Sequence, residues 1–437
     1  MKATIGRTVT SILTSRALRD TRRAAASLKR RLGGGAAQVH YFHQADDPYS
    51  HLAAQTLPRL IARYRIELVP HLVPAPADAA APDRARLERW SRFDAAALAR
   101  GLGLDASDAG QQPDADLVLL ANAALAAAIA RREFAAAAAE IGAALWRGDR
   151  EALSRHAAAA PAGAADAALR EGEALRARLG HYLGATFFFG GEWYWGTDRL
   201  HYLEDRLRSE GLARGDGGAP IAPVREVTLA GARTDGRPVV LDFFCSLRSP
   251  YTYLAVPRLR RLALHYGATL RVRFVLPMVM RGLPVPRAKR LYILRDTKRE
   301  ADRLGMRFGR VVDPVGRPVE RGLAVLHHAI REGTGAAFAE SFLQGVFADG
   351  IDAGGDPGLN LIARRAGLDA AFVAAALEDT SWRAVAQANR EELLALGLWG
   401  VPSFRVGDRP AQWGQDRLWA IEEDLIAGTA ATAVASK

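Results

Sequence analysis

The sequence predicts an α/β protein that contains two tandem copies of one fold, each with a long helical insertion. Residues 239–245 form a short β-branched and aromatic run, typical of a buried strand, which ends in a turn before a helical pattern. Residues 39–60 show the same strand, turn and helix pattern earlier in the chain. A short hairpin pattern and a final helix close each half.

The repeat has a fixed offset, which indicates an internal duplication. A shift of 202 positions places Pro48 on Pro250 and Tyr49 on Tyr251. The same shift aligns several later pairs: Leu52 with Leu254, Tyr64 with Tyr266, Asp94 with Asp296, and Gly103 with Gly305. Near the end of each half, residues 184–188 and 195–200 repeat residues 400–404 and 413–418.

Each copy is predicted to run β–α–β, helical insert, β-hairpin and final helix. In the second copy we expect strands over 239–245, 270–276 and 403–406, and a short strand near 411–413. Helical spacing and alanine-rich propensity predict insert helices over 289–304, 322–331, 336–347, 359–365 and 370–378. The insert of the first copy is still richer in alanine, from 121 to 165.

These patterns divide the chain into five segments. We predict a basic N-terminal arm over 1–37, a first domain over 38–210, and a Gly- and Pro-containing linker over 211–223. A second domain follows over 224–429, and a C-terminal tail covers 430–437.

Composition narrows the class of protein. The chain has 437 residues, of which 49% are hydrophobic, enough to fill the cores of two or three domains. No apolar run approaches the roughly 18 to 20 residues of a membrane helix. The one cysteine, Cys245, excludes an intrachain disulfide and self-contained dithiol chemistry. We therefore expect a soluble, cytoplasmic protein without a transmembrane segment.

The net charge of +11 is concentrated in the arm. Nine lysines and arginines and one aspartate in the first 31 residues give 9 − 1 = +8, which leaves +3 for the rest. Ile5, Val9, Ile12 and Leu13 have helical spacing, so the arm is predicted to be an amphipathic helix. It could lie on an acidic partner, a membrane surface or the second domain of the chain. We expect no nucleic-acid partner.

Ser249 occupies a position where an anion is favoured. Pro250 is suited to the first position of the predicted helix and Ser249 to its N-cap. The free N–H groups and the dipole at a helix N-terminus favour negative charge, such as that of a thiolate.

The residues from Ser249 to Thr252, Ser-Pro-Tyr-Thr, resemble the active-site turn of DsbA-like thioredoxin-fold proteins. Gly-Val-Pro-Ser-Phe at 400–404 and Trp-Gly-Gln-Asp-Arg-Leu at 413–418 strengthen the resemblance. Ser249 and Thr252 stand where many members have a Cys-Pro-x-Cys pair. In this respect the chain is similar to glutathione-dependent 2-hydroxychromene-2-carboxylate isomerases and kappa-class glutathione transferases. The resemblance implies two thioredoxin-like domains of DsbA/kappa type.

The resemblance also implies roles for individual residues. The Ser249 hydroxyl would hydrogen-bond the sulfur of bound glutathione and favour the thiolate, as the helix end does. Lys289 would face the thiolate or a substrate carboxylate. No metal ligand is implied.

Glutathione itself would be held by two further motifs. Val401 would precede a cis bond to Pro402, and its backbone would pair with the peptide backbone of glutathione. Gln415 and Asp416, at the start of the last helix, would take the γ-glutamyl end of glutathione.

The first copy departs from this pattern at each of the key positions. Asp47, Thr186 and Leu87 replace Ser249, Pro402 and Lys289 respectively. An aspartate would repel a thiolate, and a cis bond before a residue other than proline costs about 2.5 to 4 kcal/mol. We therefore predict a degenerate first domain, with a trans peptide before Thr186 and no glutathione. His40 and His43 should point to opposite faces of their strand, which argues against a shared metal.

The resemblance implies a glutathione-dependent isomerase in which a thiolate adds to, and is later eliminated from, an activated double bond of an aromatic or chromene-type substrate. Two alternatives stay open: a kappa-type transferase, which stops after addition, and a redox-silent binding or scaffold protein. A disulfide oxidoreductase is disfavoured because the second thiol is absent. We expect the two domains to pair with each other, and a dimer is possible.

Overall fold

The structure is a computed structural model that describes residues 2–108, 110–158, 160–231 and 238–427, with side chains from residue 6 onward. The expected tail at 430–437 and the end of the second domain at 428–429 lie outside the described residues. Each described helix is too short or too polar to cross a membrane.

The chain divides into two compact units. Of the described residues, one unit contains those within 19–224 together with 286–289, and the other contains those within 2–18, 225–285 and 290–427. The division therefore differs from the segment boundaries expected above at two places. It splits the arm, and it assigns a short piece of the second half, which includes Lys289, to the unit of the first half.

The arm forms two helices, α1 (Lys2–Leu13) and α2 (Arg16–Leu32). Helix α1 lies on residues of the second half, where the Thr10 hydroxyl accepts a hydrogen bond from the Val311 N–H at 3.1 Å. Helix α2 lies on residues of the first half, where Arg23 contacts Glu192 at 2.7 Å. Helix α1 thus contacts the second domain, one of the three partners considered for the arm, whereas α2 contacts the first half, which was not among them.

The first half contains one four-stranded sheet and a helical insert. Its elements, in chain order, are β1 (Gln38–His43), α3 (Pro48–Ala54), α4 (Leu57–Arg63), β2 (Glu67–Leu72), α5 (Arg84–Leu102), α6 (Ala115–Ala130), α7 (Phe134–Arg147), α8 (Arg150–Ala157), α9 (Ala164–Leu179), β3 (Thr186–Phe189), β4 (Glu192–Trp195), a 3-10 turn (Thr197–Arg199) and α10 (Leu200–Ser209).

The second half repeats this order with a longer insert. Its elements are β5 (Val239–Cys245), α11 (Pro250–His265), β6 (Ala268–Phe274), a 3-10 turn (Met278–Arg281), α12 (Arg287–Arg303), α13 (Arg317–Arg331), α14 (Gly335–Gln344), a π-helical turn (Gly345–Asp349), α15 (Asp356–Arg365), α16 (Ala370–Glu378), α17 (Trp382–Ala395), β7 (Ser403–Val406), β8 (Gln412–Trp413), a 3-10 turn (Gln415–Arg417) and α18 (Leu418–Ala427).

The two sheets have the same topology, with strand orders β2-β1-β3-β4 and β6-β5-β7-β8. The first two strands of each half are parallel, and the hairpin pairs antiparallel to the first strand. A parallel pair brings the carboxyl ends of its strands to one edge, and Cys245 lies opposite Phe274 at that edge. The turns after β5 and β6 therefore meet there.

Equivalent side chains make equivalent hydrogen bonds in the two halves. The Tyr49 hydroxyl donates to Asp94 at 2.8 Å, and the Tyr251 hydroxyl donates to Asp296 at 2.9 Å. The two tyrosines and the two aspartates are the pairs that the 202-residue offset aligns. The shared offset thus corresponds to a shared tertiary contact.

The sequence patterns miss one helix of the second insert and misplace some boundaries. Helix α17 is absent from the prediction because its buried face, Trp382, Ala386, Asn389 and Leu393, has a polar residue at one of four positions and so a weaker apolar period. Strand β6 begins at Ala268, two residues before the predicted start. The helix predicted over 336–347 ends at Gln344, where the π-helical turn begins.

A buried glutamate fastens the segment before β5 to the last helix. Glu422 accepts hydrogen bonds from the Tyr266 hydroxyl at 3.0 Å, from the Thr228 N–H at 2.8 Å, and from the Leu229 N–H at 2.5 Å. This carboxylate satisfies two backbone donors of a segment that has no strand partner of its own.

Replacement of Glu422 by leucine should therefore lower the free energy of unfolding by about 2 to 4 kcal/mol, because several buried donors lose their acceptor. The matched control is Glu423→Ala, since the neighbouring Glu423 is exposed and pairs with Arg225 on the surface. That change should cost less than about 1 kcal/mol. Urea unfolding of both variants measures the difference, and equal effects would contradict the role of Glu422.

Candidate functional site

Ser249 lies at the N-terminus of α11, as the sequence predicts. Strand β5 ends at Cys245, and Pro250 occupies the first turn of the helix. The Ser249 hydroxyl accepts a hydrogen bond from the Thr252 N–H at 3.2 Å and donates one to the Val401 carbonyl at 3.4 Å. The side chain therefore joins the helix end to the loop before β7.

This loop contains a cis peptide bond between Val401 and Pro402. Gly400 is required before it, because a Cβ there would lie 1.9 Å from the Trp413 ring. The Gly414 N–H donates to the Pro402 carbonyl at 2.9 Å and holds the loop against the hairpin. In the described part of the chain, no hydrogen bond uses the Val401 N–H.

Gln415 and Asp416 begin the 3-10 turn that precedes α18, and Gln415 is buried. The Gln415 side chain accepts a hydrogen bond from Arg258 at 2.7 Å and donates to Glu300 at 3.1 Å. It also donates to Asp416, which is half-buried. The Gln415 amide is thus engaged inside the protein and positions Asp416.

Lys289 is the one predicted site residue that belongs to the other unit. Its ammonium donates to the Ala80 carbonyl at 2.7 Å and lies 5.9 Å from the centre of the Tyr182 ring. Burial lowers the pKa of Lys289 to about 8. The structure thus brings Ser249 to the cis loop but places Lys289 with residues of the first half.

At the equivalent place in the first half, Asp47 caps α3 and accepts hydrogen bonds from the backbone N–H groups of Tyr49 and Ser50. The Ser50 hydroxyl donates to Asp47 at 2.9 Å and accepts from the Ala185 N–H, also at 2.9 Å. Ala185 occupies the position of Val401 in the repeat. The Ala185 N–H donates to Ser50, whereas the Val401 N–H makes no hydrogen bond within the described residues. Among the described residues, only Val401-Pro402 is cis, which confirms the predicted trans bond before Thr186.

Three histidines of the first half contact neighbouring side chains within the fold. The ring nitrogens of His40 and His71 lie 2.9 Å apart, whereas His43 contacts the Tyr41 hydroxyl at 3.1 Å. Burial lowers the pKa of His71 to about 4 and that of His43 to about 3. No set of three potential metal ligands occurs within the described ranges.

Cys245 is buried at the end of β5, and burial raises the pKa of its thiol well above the usual range. A thiol that stays protonated is a poor nucleophile, so Cys245 is a core residue.

Sequence reasoning missed Arg258 and Glu300, the buried partners of Gln415. The repeat contains a signal for them, because the same offset that aligns the two halves places Thr56 on Arg258 and Leu98 on Glu300. A charged pair buried in only one of two copies indicates a structure specific to that copy.

The second half has a thioredoxin-like fold in which a serine caps the helix that follows the first strand. Residues 240–425 match the family model described as a DSBA-like thioredoxin domain, so this part of the chain is similar to that family. This confirms the resemblance that the motifs indicate.

The chain is also similar to individual proteins over about half of its length. The curated 2-hydroxychromene-2-carboxylate isomerase of Pseudomonas putida is 24% identical over 195 residues, which cover 43% of this chain and 94% of that protein. A solved structure of 2-hydroxychromene-2-carboxylate isomerase matches 45% of this chain and 100% of its own, with 24% identity and a TM-score of 0.39. The structure of the cytosolic disulfide reductase DsbM of Pseudomonas aeruginosa matches 45% of this chain and 100% of its own, with 22% identity and a TM-score of 0.35.

The carboxyl group of Asp47 should titrate far from its usual range. Burial raises its pKa from 3.8 to about 7, although hydrogen bonds from Ser50 and Tyr49 act in the opposite direction. Between about pH 4 and pH 7 the folded state then holds a proton that the unfolded state has lost. The contribution of Asp47 to stability is therefore greatest below pH 4 and declines as the pH rises to 7.

Carbon-13 NMR of aspartate-labelled protein measures this directly. The Asp47 carboxyl resonance, assigned by its absence from Asp47→Asn, should have a titration midpoint near pH 7. A midpoint near 4 would show that the carboxyl is solvated and would contradict the buried, hydrogen-bonded arrangement.

Proposed function

We propose that the second domain binds glutathione and acts as a glutathione-dependent isomerase on an activated double bond of an aromatic or chromene-type acid. The first domain, in this proposal, binds no glutathione. The name of the curated Pseudomonas putida relative favours isomerisation over other glutathione chemistry.

The observation that carries the proposal is the position of Ser249 opposite Val401. One hydroxyl at a helix N-terminus contacts a loop that offers an unused backbone donor, within the residues described. A cysteinyl peptide that pairs with the Val401 backbone would bring its sulfur toward Ser249 and the end of α11. The residues present therefore fit glutathione.

Glutathione, when bound, would supply a thiolate able to add reversibly to an electron-poor double bond. The chain's own contribution is to favour that anion. The Ser249 hydroxyl, which donates to the Val401 carbonyl, would turn toward the sulfur, and the partial positive charge at the N-terminus of α11 would act in the same direction. Both effects lower the pKa of a thiol.

Asp416 adds a carboxylate to the proposed site. Asp416, positioned by Gln415, would accept the γ-glutamyl ammonium, a charge-assisted hydrogen bond. Lys289 stays a candidate for binding an anionic group. Its pKa of about 8 means that it could also give up a proton under mild conditions.

Two rivals differ in what they predict. A transferase would stop once the sulfur is attached, and would release a glutathione conjugate instead of an isomer. A redox-silent binding protein would bind without turnover, and the first half shows how a site of this fold is filled by its own side chains.

The test compares Ser249→Ala with Ser15→Ala. Ser15 is a matched control because its hydroxyl accepts from the Leu18 N–H three residues later, as that of Ser249 accepts from Thr252. Bound glutathione should show thiolate absorbance in the ultraviolet at a pH where free glutathione is mostly protonated. Ser249→Ala should weaken this absorbance and lower kcat/KM. The activation free energy that kcat/KM reports should rise by about 1.5 to 3 kcal/mol, the contribution of one hydrogen bond to a charged group.

Both variants should lose similar stability, about 0.5 to 2 kcal/mol for an N-cap serine. Only Ser249→Ala should change the thiolate signal. If the two variants keep the same thiolate absorbance and the same kcat/KM, Ser249 is a structural cap and the proposed role is wrong.

A further inference from the structure

Two arginines lie near the same edge of the second sheet as Ser249. Arg281 ends the 3-10 turn that follows β6, and Ser249 follows the neighbouring parallel strand β5. The two strands stay paired to their ends, since the Val275 N–H donates to the Cys245 carbonyl at 2.9 Å. The turns that carry Arg281 and Ser249 therefore start from adjacent points.

Arg390 lies on helix α17, which is anchored at this edge. Its neighbour Asn389 donates to the Phe274 carbonyl at 3.0 Å, which fixes α17 at the carboxyl end of β6. Arg281 and Arg390 are each half-buried, and the Nε atom of each is buried without a hydrogen bond. Two arginines with buried, unpartnered Nε atoms thus lie on elements that meet where β6 ends.

Neither arginine has an ion pair or a hydrogen bond with any described residue. The other arginines of this region are paired. Arg248 contacts Asp313 through two bonds of 2.7 Å, and Arg273 contacts Asp242 at 3.2 Å. Arg281 and Arg390 therefore differ from their surroundings in lacking an anion.

The pKa of Arg281 is also consistent with the absence of a neighbouring anion. Burial, and then the charge of Arg390, lower the pKa of Arg281. Arg390 is thus close enough for the two positive charges to repel each other. A bound anion between them would relieve the repulsion and restore the hydrogen bonds that the buried Nε atoms lack.

We propose that Arg281 and Arg390 form a carboxylate-binding subsite beside the Ser249 turn. The subsite deepens the proposed function and rests on it for the identity of its ligand. A guanidinium group has a planar fork of donors that matches the two oxygens of a carboxylate, so two such groups favour an organic acid.

Two carboxylates of the proposed reaction have this chemistry: the glycine carboxylate of glutathione and the acid group of the aromatic substrate. They can be told apart with ester probes, because an ester keeps the shape of the acid and removes its charge. Glutathione is compared with its glycine monoethyl ester, and chromone-2-carboxylate is compared with its methyl ester.

Calorimetric titration of these four probes is carried out on the full chain and on Arg281→Gln, Arg390→Gln and the double variant. The wild type should bind one acid more tightly than its ester by about tenfold to a hundredfold, and each substitution should remove most of that preference. Arg364→Gln, an exposed arginine on α15, is the control and should keep the wild-type preference.

Loss of preference for the chromone pair alone assigns the subsite to the substrate, and loss for the glutathione pair alone assigns it to the glycine end. An acid-over-ester preference that is absent in the wild type, or that persists in the double variant, overturns the proposal. If glutathione does not bind to the wild type at all, the proposed function fails, while the chromone pair still decides whether the subsite exists.

Folding is checked by thermal unfolding. The Gln variants should melt no lower than the wild type, because each removes one of two like charges. Should a Gln variant fail to fold, Arg281→Lys and Arg390→Lys serve instead. They keep the charge but lose the planar fork, so each should reduce the acid-over-ester preference without abolishing it, and an undiminished preference would also overturn the proposal.

Discussion

The contact between the Ser249 hydroxyl and the Val401 carbonyl depends on the pairing of strands β5 and β7. Strand β5 leads into the turn that carries Ser249, and the loop with Val401 leads into β7. Because Phe244 and Ser403 are paired across these strands, the helix end and the loop meet at one edge of the sheet. The rings of Phe243 and Phe404, one on each of these strands, also stack within the core of the second domain.

The two halves share one framework but differ in the polar side chains around the helix that follows the first strand. In the second half, a buried network of Arg258, Gln415 and Glu300 supports the start of the last helix. In the first half, the Ser50 hydroxyl bridges Asp47 and the loop backbone, so the side chains of the protein occupy the groups that a peptide would use. The framework is common to both halves, and a few polar side chains determine the difference.

Local chemistry and the repeat made much of this fold predictable. The strand at 239–245, the N-cap at Ser249 and the cis bond at Val401-Pro402 follow from short-range rules or from the resemblance, and the structure agrees with each. Helix α17 was missed because its buried face includes Asn389. The position of Lys289 could not be deduced, since its contact with Ala80 joins residues far apart in the chain. Arg281 and Arg390 could not be singled out from the sequence, because whether an arginine has an ion-pair partner depends on the tertiary structure.

We propose that only the second half holds a glutathione site, and the binding stoichiometry tests this most directly. Calorimetric titration of the full chain with glutathione should give one site per chain, because Asp47 and the occupied Ala185 N–H block the first half. A stoichiometry of two would show that the first half also binds glutathione. No binding at millimolar concentration would exclude glutathione as the ligand of this chain.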